Sequence, residues 1–275
     1  MKPPPFDYCR VDEPEEALAL LAEHGDDARL LAGGQSLMAM LNLRLLQPRL
    51  LIDISRIDSL RYARRGNGML EVGAAMTQAE LARELAMATD TPLLKLALPW
   101  VGHYQTRMRG TVCGSLAHAD ASSELPLCLA ALGGTLRLRR KGGEREVAAA
   151  DFQLGPLVTA REPDEMIVAA RFPLARAGQG FAFRELARRH GDFAIVALAA
   201  CVEGDRARLA VGGVADRPAV REWSGLEGTA LDDALNELAW DLGGSDDMHA
   251  SARYRRDLVR RLGRATIEEA RACRS

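Results

Sequence analysis

The sequence predicts an α+β protein in two parts, residues 1–175 and 176–275. Three observations carry that reading. Short apolar runs alternate with capped, helix-spaced segments through the first part. The stretch Ala175-Arg176-Ala177-Gly178-Gln179-Gly180 then interrupts the pattern as a linker. Beyond it come three consecutive strand-like runs and two helical stretches, the order expected of an antiparallel sheet followed by helices.

Asp12-Glu13-Pro14-Glu15 opens a helix over Ala17 to Ala22, with Asp12 as its N-cap and Pro14 early in the first turn. Ala28 to Leu31 is a short strand, Leu37 to Leu46 has one apolar helical face, and Leu50 to Ile54 and Met69 to Val72 are strands. Thr77-Gln78-Ala79-Glu80 is a capping box for a helix reaching about Ala88, and Pro92 to Val101 is another helix. Pro126 to Leu132 reads as helix. Thr135 to Arg139 and Glu144 to Val147 form a hairpin about Lys141-Gly142-Gly143, and Met166 to Phe172 is a strand stopped by Pro173. In the second part, Phe181 to Ala187, Ala194 to Glu203 and Arg208 to Val214 are strands, and Ala230 to Leu242 and Ala252 to Leu262 are helices.

Composition narrows the function classes. The 275 residues are 48% hydrophobic and 27% charged, with a net charge of -2, so no basic footprint for nucleic acid stands out. The segment Met1-Lys2-Pro3-Pro4-Pro5-Phe6 has no apolar signal core and no run approaches membrane length, which predicts a cytoplasmic protein without membrane insertion. The five cysteines are scattered without a Cys-x-x-Cys pair, so no metal or iron–sulfur site is expected in this chain.

Two glycine-rich segments carry the functional signal. Ala32-Gly33-Gly34-Gln35-Ser36-Leu37 follows the predicted strand Ala28 to Leu31. Arg109-Gly110-Thr111-Val112-Cys113-Gly114-Ser115-Leu116-Ala117-His118-Ala119-Asp120 lies far along the chain. Glycines let main-chain N–H groups approach an anion with no Cβ in the way, and Ser or Thr adds hydroxyl donors. Two such segments suit a pyrophosphate gripped from both sides, although the Gly-x-Gly-x-x-Gly spacing of nicotinamide-binding folds is absent. No convincing nucleophile–base set accompanies them.

In this context the chain resembles the FAD-binding medium subunits of molybdenum hydroxylases, the group of the carbon monoxide dehydrogenase flavoprotein and the xanthine dehydrogenase FAD domain. Three ordered segments carry the resemblance. The first is Ala32 to Leu37 with Leu43-Arg44 and Leu51-Ile52-Asp53-Ile54. The second is Val101-Gly102-His103, Arg107, Arg109-Gly110-Thr111, Gly114 to Asp120 and Glu124-Leu125-Pro126. The third is Arg188-Arg189-His190-Gly191-Asp192-Phe193-Ala194.

The resemblance implies a two-lobed FAD domain of the vanillyl-alcohol-oxidase type and a small C-terminal domain of sheet plus helices. It implies an oxidoreductase subunit that passes electrons from 2Fe-2S clusters through FAD to an external acceptor. The partners would be a small iron–sulfur subunit and a large molybdopterin subunit, as a dimer of heterotrimers. Carried over by position, Ala32, Gly33, Gly34, Gln35, Ser36 and Leu37 would bind one side of the FAD pyrophosphate, and Thr111, Cys113, Gly114 and Ser115 the other, with His118 beside them. Glu124 would contact a ribose or adenosine group, Ile167 would pack on the cofactor, Arg184 would lie near the flavin, and Asp192 and Phe193 would approach its ring. Cys113 stands where the family commonly has Gly, and Ser115 where it has Asn.

Each feature also has a plainer reading. Gly33-Gly34 alone is an ordinary turn, Glu124 an ordinary helix-start residue, His118 a hydrogen-bonded loop histidine, and Arg188-Arg189-His190 a solvated turn. The stripe Leu37, Met40, Leu41 and Leu45 reads as core, and Tyr254-Arg255-Arg256 as a solvated helix face or a partner surface. A self-sufficient flavin oxidoreductase of the same superfold and an FAD-less scaffold subunit are the competing functions.

Overall fold

The computed structural model describes residues 2–274; Met1, read above with the N-terminal segment, and Ser275 lie outside them. The first part opens with β1 (Asp7–Arg10), α1 (Pro14–His24), β2 (Ala28–Leu31), α2 (Leu37–Asn42) and β3 (Leu50–Asp53). These strands make a parallel sheet in the order β1-β3-β2, with β3 in the centre. Pro14 is the first residue of α1, so Glu13 and not Asp12 is the N-cap, and no side chain caps the turn. Proline suits that position because its missing N–H has no helical partner to lose. Helix α2 stops at Asn42 rather than Leu46, since Arg44 takes a left-handed conformation (φ +59°).

A five-stranded sheet follows, built from β4 (Ala63–Gly66) and β5 (Met69–Gly73). The chain then makes α3 (Gln78–Glu84), α4 (Pro92–Ala97), α5 (Tyr104–Arg109), α6 (Val112–His118) and α7 (Glu124–Leu132). It returns through β6 (Thr135–Arg140), β7 (Gly143–Ala148), α8 (Ala149–Phe152), the small hairpin β8 (Gln153–Gly155) with β9 (Val158–Thr159), and β10 (Met166–Pro173). The order β4-β5-β10-β6-β7 places β10 in the middle, which explains its nearly continuous burial. Both halves of the Thr77/Glu80 capping box form at α3, but the helix ends at Glu84. The predicted helix over 92–101 is α4 followed by one 3₁₀ turn at Leu98–Trp100.

The last third is a meander of β11 (Gln179–Leu186), β12 (Val196–Glu203), β13 (Arg206–Gly212) and β14 (Ala219–Ser224), then α9 (Gly228–Leu242) and α10 (Ala252–Ala272). The sheet has four strands where the sequence pattern showed three. Strand β14 is an edge with mostly exposed or half-exposed residues, and so lacks the alternation that marks a half-buried strand.

One face of this sheet packs on α9 and α10 through Ala182, Leu198, Leu209 and Val211. The other joins the main core through Phe181, Phe183, Ala197, Ala199 and Ala210. Alanines on the strand let α4 and α7 approach closely, while α10 approaches from the opposite face. A Cβ on Gly180 would stand 1.8 Å from Ala270 O of α10. Arg255 corrects the expectation of a solvated helix face. It is 5% exposed, and its Nη1 donates to Ile195 O and Gly213 O at 2.6 and 2.7 Å, fixing α10 to the sheet.

Candidate functional site

The first glycine segment is a turn between β2 and α2. A Cβ on Gly33 would lie 2.2 Å from Arg109 O and 2.7 Å from Gly110 Cα, so only glycine lets the two segments touch. Gly34 has φ +72°, the left-handed region that favours glycine. Helix α2 begins immediately after, with Met38 N–H donating to Gly34 O. The N–H groups of Gly33, Gly34, Gln35, Ser36 and Leu37 find no acceptor among the described residues. Donors left open in a recessed wall need an outside acceptor, and an anion supplies one.

The second segment is built differently. Thr111 caps α6, its Oγ1 accepting from Gly114 N–H at 3.0 Å. A Cβ on Gly114 would crowd that hydroxyl at 2.7 Å. Val112 N–H donates to Met76 O and Ser115 N–H to Thr111 O. These N–H groups are therefore occupied, and the segment offers the hydroxyl hydrogen of Thr111 and the unpartnered hydroxyl of Ser115 rather than a run of free amides. Cys113 needs no glycine conformation because it sits in the first turn of α6. Its side chain is 3% exposed, its Sγ lies 3.6 Å from Val72 O, and burial pushes its thiol up to about 12.

Both segments open on one cavity of about 880 Å³. Among the site residues expected from the sequence, Ala32 to Leu37, Thr111, Cys113, Gly114, Ser115, His118, Glu124, Ile167, Asp192 and Phe193 all line it. Ile167 is 5% exposed and stands where the β10–β6 register shifts, a bulge that aims its side chain. His118 is half-buried, and desolvation holds its imidazole below the ordinary range. Glu124 begins α7 at 7% exposure, and burial, helped by the Asp120 charge, pushes its carboxyl up to about 7.

The C-terminal part closes the cavity's other end. A Cβ on Gly191 (φ +88°) would meet His103 Nδ1 at 2.6 Å and Gly102 O at 2.9 Å, so the loop carrying Asp192 and Phe193 seats directly on Val101-Gly102-His103. Arg107 holds that seat in place, its Nη1 donating to Val101 O and Gly102 O at 2.9 and 2.8 Å. Arg189 fixes Asp192 at 3.1 Å and keeps its carboxyl below the usual range. Phe193 is 72% exposed.

Arg184 is the expected site residue that the fold leaves out. Along β11 successive side chains alternate faces, and Arg184 lies on the α10 side, paired with Glu269 at 2.7 Å and absent from the cavity wall. The apolar stripe of α2 is also reassigned. Leu41 is core, whereas Leu37 and Met40 line the cavity and Leu45 is 66% exposed.

Sequence reasoning missed several wall residues. Leu157 and Thr159 come from the β8–β9 hairpin. It is tied to α6 where Leu157 N–H and Gln153 Nε2 both donate to Ala119 O, at 3.1 and 2.7 Å. Ala119 and Leu157 are both left-handed without being glycine (φ +54° and +59°), and a sequence gives no sign of that. Arg29 and Arg161 also reach the wall, as do Gln78 and His249.

Known proteins share this architecture. Residues 4–175 match the family model described as "FAD binding domain in molybdopterin dehydrogenase". Residues 181–270 match "CO dehydrogenase flavoprotein C-terminal domain". The chain is 38% identical to the 6-hydroxypseudooxynicotine dehydrogenase complex subunit alpha of Paenarthrobacter nicotinovorans, over 98% of this chain and 96% of that one. It is 33% identical to the carbon monoxide dehydrogenase medium chain of Afipia carboxidovorans, over 99% of both. Among solved structures it superposes on a chain of the Cu,Mo-CO dehydrogenase with a TM-score of 0.93 at 31% identity, covering 99% of each. It superposes on a chain of quinoline 2-oxidoreductase from Pseudomonas putida 86 with a TM-score of 0.90 at 33% identity, again covering 99% of each. No helix of the described residues is long and apolar enough to cross a membrane. With both family models matched in order and relatives aligned along nearly its whole length, the chain belongs to the FAD-binding medium subunits of the molybdenum hydroxylase family.

Proposed function

We propose that this chain is the electron-transfer subunit of a molybdenum-containing hydroxylase, taking electrons from iron–sulfur clusters through FAD in the cavity and delivering them to an external acceptor. The observation that carries the reading is the row of five N–H groups at Gly33 to Leu37 without an acceptor among the described residues, lining one cavity of about 880 Å³ together with Thr111 and Ser115. The donor set fits a pyrophosphate, because it offers many neutral donors and requires no lysine.

When bound, FAD supplies the redox chemistry; the chain binds, orients and shields it. Gly33 to Leu37 would hold one side of the pyrophosphate and Thr111 and Ser115 the other. Glu124 would take a hydroxyl of the ribose or adenosine part, Ile167 would pack on the cofactor, and Asp192 and Phe193 would approach the flavin ring. Residues 1–175 form the FAD-binding domain, and 176–275 form the domain that closes it. The partners are a small subunit with 2Fe-2S clusters and a large molybdopterin subunit, assembled as a dimer of heterotrimers. The related proteins are named as subunits or medium chains, in keeping with this assembly.

The test is co-expression with the neighbouring subunits, followed by stopped-flow reduction of the purified complex. Flavin bleaching that follows reduction of the clusters supports the role. Flavin that stays oxidised while the clusters are reduced contradicts it.

A further inference from the structure

Glu185 is a buried carboxyl that the FAD cradle leaves unused. On β11, Phe181 and Phe183 face the main core, whereas Ala182 and Leu186 face α9 and α10. Alternation puts Glu185 with the phenylalanines, on the side packed against α4 and α7. It is 9% exposed, and neither of its carboxyl oxygens has a hydrogen-bond partner among the described residues. An ionised carboxylate in such a place carries a large desolvation cost.

The surrounding elements bring no pairing cation. Helix α7 contributes Glu124 and Cys128, β12 contributes Cys201, and α4 carries Lys95, whose Nζ is spent on Ala88 O. Arg184 faces away toward Glu269, Arg208 donates to Ala131 O, and His190 stacks on Trp100. Asp120 and Arg107 act on Glu124 with opposite signs. Burial, with the Glu124 charge behind it, pushes Glu185 up to about 8. Glu124 lines the cavity, where water and a ligand's hydroxyls can solvate its charge, whereas Glu185 lies off the cavity wall with both oxygens buried and unpartnered, so Glu124 is the one that ionises first.

We propose that Glu185 is a positioning residue for the cofactor cavity: it keeps its proton while Glu124 carries the single negative charge of the pair, and this singly charged state is the one that accepts hydroxyls of FAD. The proposal rests on the reading of the cavity as an FAD site. The only chemical step is a proton transfer. The O–H bond of Glu124 breaks and its proton goes to solvent as the FAD hydroxyl donates to the carboxylate, and no electrons move. A second ionisation, at Glu185, puts a like charge behind Glu124 and an unpaired charge between the sheet and α7. FAD affinity then rises through the ionisation of Glu124 and falls through that of Glu185, giving a bell-shaped pH profile.

The test is FAD binding to the full apo chain between about pH 6 and pH 9, followed by flavin fluorescence and by calorimetry in two buffers of different ionisation enthalpy. For the wild type the affinity should fall about fivefold between pH 8 and 9, as one required proton is lost with a pKa near 8. Glu185→Gln should abolish this falling limb and keep the rising one, and Glu124→Gln should abolish the rising limb. A falling limb unchanged in Glu185→Gln overturns the proposal. So does a wild-type profile that is flat from pH 6 to 9 with FAD bound throughout, which leaves the cavity reading intact. No FAD uptake at any pH overturns both. Should Glu185→Gln fail to fold, the carboxyl C=O infrared band of the wild type decides: a protonated carboxyl persisting near about pH 7.5 supports the proposal, and its absence overturns it.

Discussion

Replacing Gly33 with alanine tests the contact between the two glycine segments. The added Cβ would stand 2.2 Å from Arg109 O and 2.7 Å from Gly110 Cα. Ordinary van der Waals contact begins at 3.4 Å, so restoring it separates the loops by about 1.2 Å. Both obstacles are backbone, and no side chain can swing aside. Overpacking of this kind costs up to about 3 kcal/mol of stability. The effect on the cofactor is larger. An N–H···O bond of about 2.9 Å stretched by that amount is no longer a hydrogen bond. Losing two charge-assisted bonds of about 1.5–3 kcal/mol each lowers FAD affinity by at least about 100-fold. The assay is flavin content after purification, with a dissociation constant from fluorescence and a thermal melt. Gly66→Ala is the control, since nothing lies within 4 Å of its added Cβ; it should shift stability by no more than about 0.5 kcal/mol. Full flavin content and a wild-type melt in Gly33→Ala would refute the geometry.

Arg184→Met should leave FAD content and the flavin redox titration unchanged, and cost at most about 1 kcal/mol, because its ion pair with Glu269 is roughly two-fifths exposed on each side; a shifted potential would return Arg184 to the site. The raised carboxyl of Glu185 makes stability depend on pH. Its contribution is fully present below the unfolded value of 4.5 and is lost as pH rises toward about 8, which totals about 5 kcal/mol. Denaturation of Glu185→Gln should therefore gain on the wild type over that window, and parallel curves would contradict the burial argument. In the native protein an alkylating reagent should label Cys273, which is exposed, and spare Cys113 and Cys128, which are buried with thiols raised by desolvation. Rapid labelling of Cys113 would show that α6 does not hold its side chain inward.

Much of this was readable from residue order. Strands carrying a clear apolar run, such as Leu50–Asp53 and Met166–Pro173, and the Thr77/Glu80 capping box appear where the pattern puts them. Strands Asp7–Arg10, Ala63–Gly66 and Ala219–Ser224 were not readable, because each is short or largely exposed and held by its neighbour's hydrogen bonds rather than by its own pattern. In the site, the glycine segments announced themselves through composition. What composition could not show was the division of labour between them: free amides in the first, hydroxyls in the second, where the N–H groups of Val112, Gly114 and Ser115 already have acceptors. Residue order does not place Arg184, because a one-residue step along a strand reverses the face, and only the fold decides which face meets the cavity. Glu185, next to it, gives no signal in the sequence, because a lone glutamate in a strand has the pattern of a solvated residue until both faces of the sheet are covered.

The most direct measurement is the visible spectrum and acid-released cofactor of the purified chain, alone and co-expressed with the proposed iron–sulfur and molybdopterin subunits. The account predicts one FAD per chain, released intact on denaturation, with the chain recovering it from solution after stripping. A colourless chain that takes up no FAD, alone or in the assembled complex, contradicts the assignment of the cavity between Gly33–Leu37 and Thr111–Ser115.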